Sequence, residues 1–330
     1  MHIFKDTNYD FLRWRWHAIA LSTLIIVGGI VIIATKGLNR GVEFAGGTVV
    51  IERFDQAVSI QQVRSALEKS FGQNLSIQEY GDPSQRQVMI RVPQVGAEAG
   101  ASLGTTADTI EAALKQANIG SFTRLGTEIV GPAVGRELTT KGIWATVLSL
   151  VGILAYISFR FQLSFATGAV VATVHDLLVT FAFLAFFGYD LTLNVIAALL
   201  TITGFSTNDT IVIFDRVREN LRGMRRDSLD HVINVAINQT LGRTIITSGT
   251  ALLSAIALFF FGGDVLHGFA FTMVVGIITG TYSTVFIAAA IVSFWRGGTA
   301  RAAARAPATS APAPQQPQRK QKPQKKVRAS

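Results

Sequence analysis

Hydrophobic and polar positions in this chain are organised on two scales. Uncharged or nearly uncharged apolar runs occupy residues 17–35, 142–159, 165–187, 192–214, 245–262 and 266–294. A helix needs about 20 apolar residues to cross ~30 Å of hydrocarbon, so the pattern predicts six membrane-spanning helices. The first run is too long for the apolar core of a secretory signal. "KGLNRGVEF" after it offers no small-residue cleavage site, so it reads as a retained span flanked by Trp14 and Trp16.

Residues 36–140 follow shorter periods. "GGTVVIERF" predicts a strand, and "SIQQVRSALEKSF" a helix with Ser59 as N-cap and Ile60, Val63 and Leu67 on one face. "LSIQEYG", the turn "DPSQ" and "RQVMIRVP" predict a hairpin. "TADTIEAALKQANIG" predicts a second helix closed by Gly120, and "SFTRLGTEIV" a last strand. The order β-α-β-β-α-β fits a ferredoxin-like unit. The expected class is an α-helical polytopic membrane protein, six transmembrane helices, with one α+β ferredoxin-like extracytoplasmic domain between spans 1 and 2.

Two polar segments remain. Residues 216–243 are too polar to span, yet Leu229, Val232, Ile233, Ala236 and Ile237 recur at helical spacing, which predicts a helix along the cytoplasmic interface. The tail, 297–330, is rich in Pro, Ala, Gln and Lys and reads as disordered. It is either a site of attraction to anionic lipid or an acidic partner, or a solvated extension.

Composition supports the membrane assignment. Of 330 residues, 49% are hydrophobic and 15% charged, where soluble chains carry about a quarter charged. The absence of cysteine excludes disulfides, thiolate metal sites and thiol nucleophiles. The net charge of +9 comes from the nine Lys and Arg residues after Trp295, a stretch with no acid. The neutral remainder argues against a nucleic-acid-binding domain. Orientation follows from Lys and Arg in short connections. Residues 1–16, Arg160, the six arginines of 216–243 and the tail share one side, whereas "GYDLT" and "GGDVLHG" hold none. Both termini are therefore expected in the cytoplasm and residues 36–140 outside.

No phosphate loop, H-E-x-x-H or G-x-S-x-G occurs. "GVEFAGGT" lacks the lysine of a phosphate cradle and leads into a strand. Neither an enzyme nor a cofactor or metal site is expected. The candidate chemistry lies in polar residues within spans, where an acid marks an ion path or a paired group. Asp209 sits about six residues from the cytoplasmic end of the fourth span, roughly 9 Å deep at 1.5 Å per residue. Ser206 precedes it by one turn, and Thr201, Gly204 and Asn208 form an adjacent stripe. A carboxyl in low dielectric is costly to ionise, which suits it to take up and release protons; the alternative is a static packing acid. Asp215, beside Arg216 and Arg218, reads as an edge ion pair. His175 and Asp176 in "VHD" either extend a relay or bond helices together. Arg243 begins the fifth span with Thr247 and Ser248 one turn on, and either snorkels or reaches Asp209. Gly268, Thr272, Gly276, Gly280 and Thr284, at four-residue spacing, read as a helix-packing face, serving either tight packing within the bundle or helices that slide.

The motifs "GVEFAGGT", "VHD", "GFSTNDTIVIFDRVREN", "TLGRTIITSGTALL" and "FGG…GIITGTYSTVFIA" occur in order on this topology. Over about residues 10–296 the chain resembles the SecD/SecF family of the resistance-nodulation-division superfamily. Glu43 stands where the family usually has Asp, and Phe205 where it usually has Tyr. The resemblance implies a bacterial cytoplasmic-membrane subunit that assists Sec-dependent protein export using the proton-motive force. It implies a SecD-like partner, the SecYEG translocon with YajC as a companion, an unfolded secretory substrate and contact with membrane lipid. Asp209 matches the family's membrane acid as proton carrier, and Arg243 its conserved basic residue. Asn208, Ser206, His175, Asp176 and Thr247 are secondary relay or packing candidates. A non-conducting scaffold subunit and a small-molecule exporter of the same superfamily are the alternative functions.

Overall fold

The chain enters and leaves its α/β domain through short glycine-containing connections, and most of the remaining described chain is helix. The computed structural model describes residues 7–72, 75–81, 83–93 and 103–295. The tail 297–330 and its expected disorder lie outside the described residues.

Among the described residues, six helices are long and apolar enough to cross a membrane. They are α1 (Arg15–Lys36), α5 (Pro132–Arg160), α6 (Leu163–Phe187), α7 (Leu193–Gly223), α8 (Leu229–Phe261) and α9 (Asp264–Ser283). The last continues through a π-helical turn, Thr284–Ala288, to residue 295. Between α1 and α5 come α2 (Val42–Ala45), β1 (Gly47–Phe54), α3 (Ile60–Phe71), β2 (Ser76–Tyr80), β3 (Gln87–Pro93), α4 (Leu103–Gln116) and β4 (Phe122–Val130). The sheet order is β2-β3-β1-β4, all antiparallel, the arrangement expected of a split βαβ unit. Ser59 caps α3 in a reciprocal box: its side chain accepts from the Gln62 N–H at 3.3 Å and its own N–H donates to Gln62 Oε1 at 3.0 Å. Val50, Phe54, Val63, Leu67, Ile90, Ile110 and Leu114 close the core between sheet and helices.

Two boundaries differ from expectation. Strand β4 ends at Val130 and α5 starts at Pro132, so residues 132–140 belong to the helix rather than the domain. No separate interfacial helix covers 216–243 either. Helix α7 runs on to Gly223, and α8 starts at Leu229, capped by Ser228, and continues unbroken to Phe261. The reason is the buried face of α8, which passes from Val232, Ala236 and Thr240 to Thr244 and Ser248 without a change of direction. The helix is held there by the N-terminal segment. Asn238 donates to the Tyr9 carbonyl at 2.8 Å and accepts from the Tyr9 N–H at 2.9 Å, and Asn234 Oδ1 accepts from the Leu12 N–H at 3.1 Å.

In the bundle, α6, α7 and α9 are the most enclosed spans. The small-residue face of α9 lies on α7. A Cβ on Gly276 would collide with Ile202, and one on Gly280 would come within 2.9 Å of Ser206 Cβ. Small residues let helices approach where lipid offers no hydrophobic drive. Gly276→Leu is expected to destabilise the bundle by ~1–3 kcal/mol, the usual cost of overpacking, read as a lowered Tm in detergent.

One buried group in the α/β domain has no counterpart in the sequence reading. Glu52 points from β1 towards the helices and is fully buried, with neither carboxylate oxygen hydrogen-bonded. Glu111 and Lys115 on α4 and Arg124 on β4 surround it. Burial first, and the negative charge of Glu111 second, push its pKa up to about 7, against the opposing pull of Arg124 and Lys115.

Candidate functional site

Helix α7 carries the site because its two faces differ. Thr192 caps it by accepting from the Val195 N–H at 3.3 Å. The inward face reads Val195, Leu199, Ile202, Ser206, Asp209, Thr210, Ile213 and Val217, all buried. The opposite stripe, Thr201, Gly204 and Asn208, is exposed. The inward face is apolar towards the α/β domain and turns polar towards the arginine-rich end.

Two polar clusters occupy successive turns of that face. In the first, Ser206 Oγ donates to Asp176 Oδ2 at 2.5 Å, and His175 Nδ1 lies 3.0 Å from Asp176 Oδ1. This joins α6 to α7. His175 Nε2 is buried without a hydrogen-bond partner. In the second, Thr244 on α8 donates to Asp209 Oδ1 at 2.9 Å, while Asp209 Oδ2 is buried and unpartnered. Asp176 is 3% exposed and Asp209 7%, so both carboxyls are shielded from bulk solvent. A buried polar atom without a partner costs about 1–3 kcal/mol, more if charged.

Hydroxyl pairs frame these clusters. Thr210 and Thr284 oxygens lie 3.0 Å apart, those of Thr173 and Thr207 3.4 Å, and Thr281 donates to Ser248 at 2.9 Å. Thr284 opens the π-helical turn of α9, an irregularity found often at functional sites. A cavity of about 500 Å³ lies between α7 and α8 at the arginine-rich end, lined in part by Asp215, Arg216, Gln239, Thr240 and Arg243. Thr240, on the cavity wall, is one helical turn, ~5.4 Å, from Thr244, the residue bonded to Asp209.

The sequence-derived candidates divide accordingly. Asp209, Ser206, His175 and Asp176 share the interior, with Asp209 and Ser206 one turn apart. Arg243 is exposed, lines the cavity and makes no ion pair with Asp209 among the described residues. Thr247 and Asn208 are exposed as well, and Thr247 Oγ1 donates to the Arg243 carbonyl at 2.9 Å. Asp215 is paired at the edge with Arg218, 3.4 Å, and Arg160, 3.9 Å. The residue missed by sequence reasoning is Thr244. The signal was present in Thr240, Thr244 and Ser248, spaced by four and all buried, whereas attention to Arg243 led along the exposed face to Thr247.

Comparison with known proteins places this architecture. Residues 109–298 match the model of "Protein export membrane protein SecD/SecF, C-terminal", and residues 31–58 match the SecD/SecF GG motif. The protein translocase subunit SecF of Desulfurispirillum indicum is 40% identical over 289 residues, covering 87% of this chain and 91% of that protein. SecF of Escherichia coli O157:H7 is 37% identical over 284 residues, 86% of each. The crystal structure of SecDF from Thermus thermophilus, described as a translocon-associated membrane protein, superposes with TM-score 0.78 at 33% identity. It covers 88% of this chain, and this chain spans 39% of it. The chain therefore belongs to the SecD/SecF family of protein export membrane proteins.

Proposed function

We propose that this chain is the proton-carrying half of an accessory complex that assists Sec-dependent protein export across the bacterial cytoplasmic membrane. The observation that carries the reading is Asp209. It is a carboxyl buried within a span, held by one oxygen to Thr244 of a neighbouring helix, one turn from the cavity-lining Thr240, with its other oxygen unpartnered.

A proton drives movement only if its uptake changes the relative stability of two conformations. The ionised Asp209 needs its Thr244 bond and some further partner for Oδ2, whereas the neutral acid needs less. Uptake and release would thus alter how α7 packs on α8. His175, Asp176 and Ser206 lie one turn deeper and supply a second set of exchangeable protons joining α6 to α7. Arg243 acts from the cavity wall through space. In a spanning potential each charge moved is worth ~2.3 kcal/mol per 100 mV, enough to bias a two-state element well over tenfold.

The Lys and Arg distribution puts the arginine-rich end and both termini in the cytoplasm and the α/β domain outside. Exposed polar residues at membrane depth support a SecD-like partner half. Thr201 and Asn208 on α7 and Thr247, Thr250 and Ser254 on α8 would face lipid without one. That the solved SecDF chain is more than twice as long fits the same reading. The translocon, its companion YajC and an unfolded secretory protein complete the proposed assembly.

The test is export by Asp209→Asn complexes with and without an imposed potential. Arg243→Met is expected to retain assembly and ATP-driven export but lose most of the potential-dependent increment. Full retention of that increment in membrane vesicles would remove Arg243 from the mechanism.

A further inference from the structure

The α/β domain meets the bundle at a joint with two levels. Near the membrane, the stretch after α1 lies beside the α6–α7 connection. The Leu191 N–H donates to the Asn39 carbonyl and the Gly41 N–H to the Leu191 carbonyl, both at 2.7 Å. Asn39 Nδ2 donates to the Gly188 carbonyl at 3.1 Å. Gly41 is required there, since a Cβ would sit 2.9 Å from the Leu191 oxygen. Glycines in the left-handed region bracket this stretch, Gly37 at φ 79° and Gly46 at φ 71°, conformations that other residues adopt only with strain.

Further out, the open face of the sheet is tied down by one ion pair. Arg91 on β3 reaches Asp190 in the α6–α7 connection at 2.7 Å, and each side chain is 11% exposed. Among the described residues it is the one ion pair between domain and bundle. Arg91 Nε is buried with no partner and Nη2 donates only to the Met89 sulfur at 3.8 Å, a weak acceptor, so the grip of the guanidinium rests largely on this carboxylate. Around the pair lies a cleft of about 360 Å³, lined by Val49, Met89 and Glu128 of the sheet and Tyr189, Asn194 and His267 of the bundle. The cleft leaves room for the sheet to change its tilt.

We infer that Arg91 and Asp190 form a releasable clasp, and that its closing and opening couple the tilt of the α/β domain to α6 and α7, the helices bearing Asp176 and Asp209. The physical reason is the half-enclosed position. Separating the pair inside the cleft would strand two charges, so the stable arrangements are a closed joint with the pair formed and an open joint with both groups in water. Intermediate tilts are disfavoured, and a small helix shift is converted into one of two domain positions. The inference rests on the export-subunit reading but not on Asp209 as the proton carrier.

Because the chain has no cysteine, introduced thiols are the only ones in it, and the partner half is used in a cysteine-free form. In the full chain co-assembled with its partner half, Arg91→Cys/Asp190→Cys is bridged with a short, reducible bis-methanethiosulfonate, since two residues joined through long side chains lie too far apart for a direct disulfide. The bridged complex is expected to lose stimulated export and regain it after dithiothreitol; export by the bridged complex at the unbridged rate overturns the clasp. In a second measurement, spin labels on exposed Gln61 and Phe261 report the tilt. Asp190→Asn and Arg91→Gln are expected to raise the open population about tenfold, about 1.4 kcal/mol. The swap Arg91→Asp/Asp190→Arg should restore the parent distances. Single variants with the parent distribution also overturn the clasp. An Asp209→Asn chain retains the label response if the clasp is real, whatever becomes of proton coupling, so the two ideas fail separately.

Discussion

Asp209→Asn is expected to abolish potential-dependent export while leaving the folded bundle intact. Asparagine is nearly isosteric with aspartate, and its carbonyl oxygen can still accept the Thr244 hydroxyl, now 2.9 Å from Oδ1. Its amide would take the place of Oδ2, the oxygen that has no hydrogen-bond partner, so no existing bond is lost. The variant cannot ionise, and any stored cost of a buried unpaired carboxylate disappears, which predicts a Tm equal to or above that of the parent. What is lost is the ability of a potential to act on one conformation more than another. At 100 mV that bias is about 2.3 kcal/mol per charge, close to fiftyfold. Inverted vesicles reporting protease-protected product, with the potential on and then collapsed, measure it directly. A variant that assembles normally and still responds to the potential would show that the proton does not travel through Asp209, and the scaffold reading would then replace the relay.

Glu52→Gln is expected to stabilise the α/β domain and to flatten the pH dependence of its stability. The sign follows from linkage. The unfolded carboxyl titrates near 4.5, whereas in the folded domain it is held to about 7 by burial and by Glu111. Below 4.5 both states bind the proton and Glu52 imposes no ionisation penalty. Between 4.5 and about 7 the unfolded state ionises first, so stability falls as pH rises, and above that range the loss is constant. Full expression of such a shift is worth roughly 3 kcal/mol, an upper value that relaxation around the charge will reduce. The parent should therefore lose hydrogen-exchange protection in β1 and α4 between pH 5 and 8, after correction for intrinsic exchange. The glutamine variant should not. Equal slopes for the two chains would mean that Arg124 and Lys115 already neutralise Glu52. If the domain faces outward, this window lies on the proton-rich side of the membrane.

The spans and the βαββαβ unit were legible because each rests on a local rule. An apolar run of sufficient length must become a helix in lipid, since backbone polar groups have no other partners there. Alternation and caps such as Ser59 are equally local. Residues 132–140 and 216–243 were misjudged for one shared reason. Polarity marks where the membrane ends, but a helix ends only where its hydrogen bonds and buried face end. Helices α5, α7 and α8 all continue past their apolar runs, and the face of α8 from Val232 to Ser248 stays buried across that change in polarity.

The candidate site was half legible. An acid within an apolar run announces itself through its cost, which is why Asp209, Asp176 and His175 stood out. Their partners did not. A threonine is unremarkable in a membrane helix, and only the rotation of α8 against α7 chooses Thr244 over Thr247 as the donor to Asp209. Rotation also sends Arg243 to the cavity wall rather than into an ion pair.

The sequence by itself determined the six spans, the domain inserted after the first, and the two or three residues whose charge is out of place. These depend on transfer free energies and backbone satisfaction, which a single segment expresses alone. Only the tertiary structure decided which oxygen of Asp209 is bonded and that Ser206 ties Asp176 to α7. The same holds for the enclosure of Glu52 without a partner and for Arg91 meeting Asp190 across 99 residues of chain. Such contacts depend on how one element is turned towards another, and that is set by the packing of small residues such as Gly276 and Gly280 against α7, not by any property of the segments taken singly.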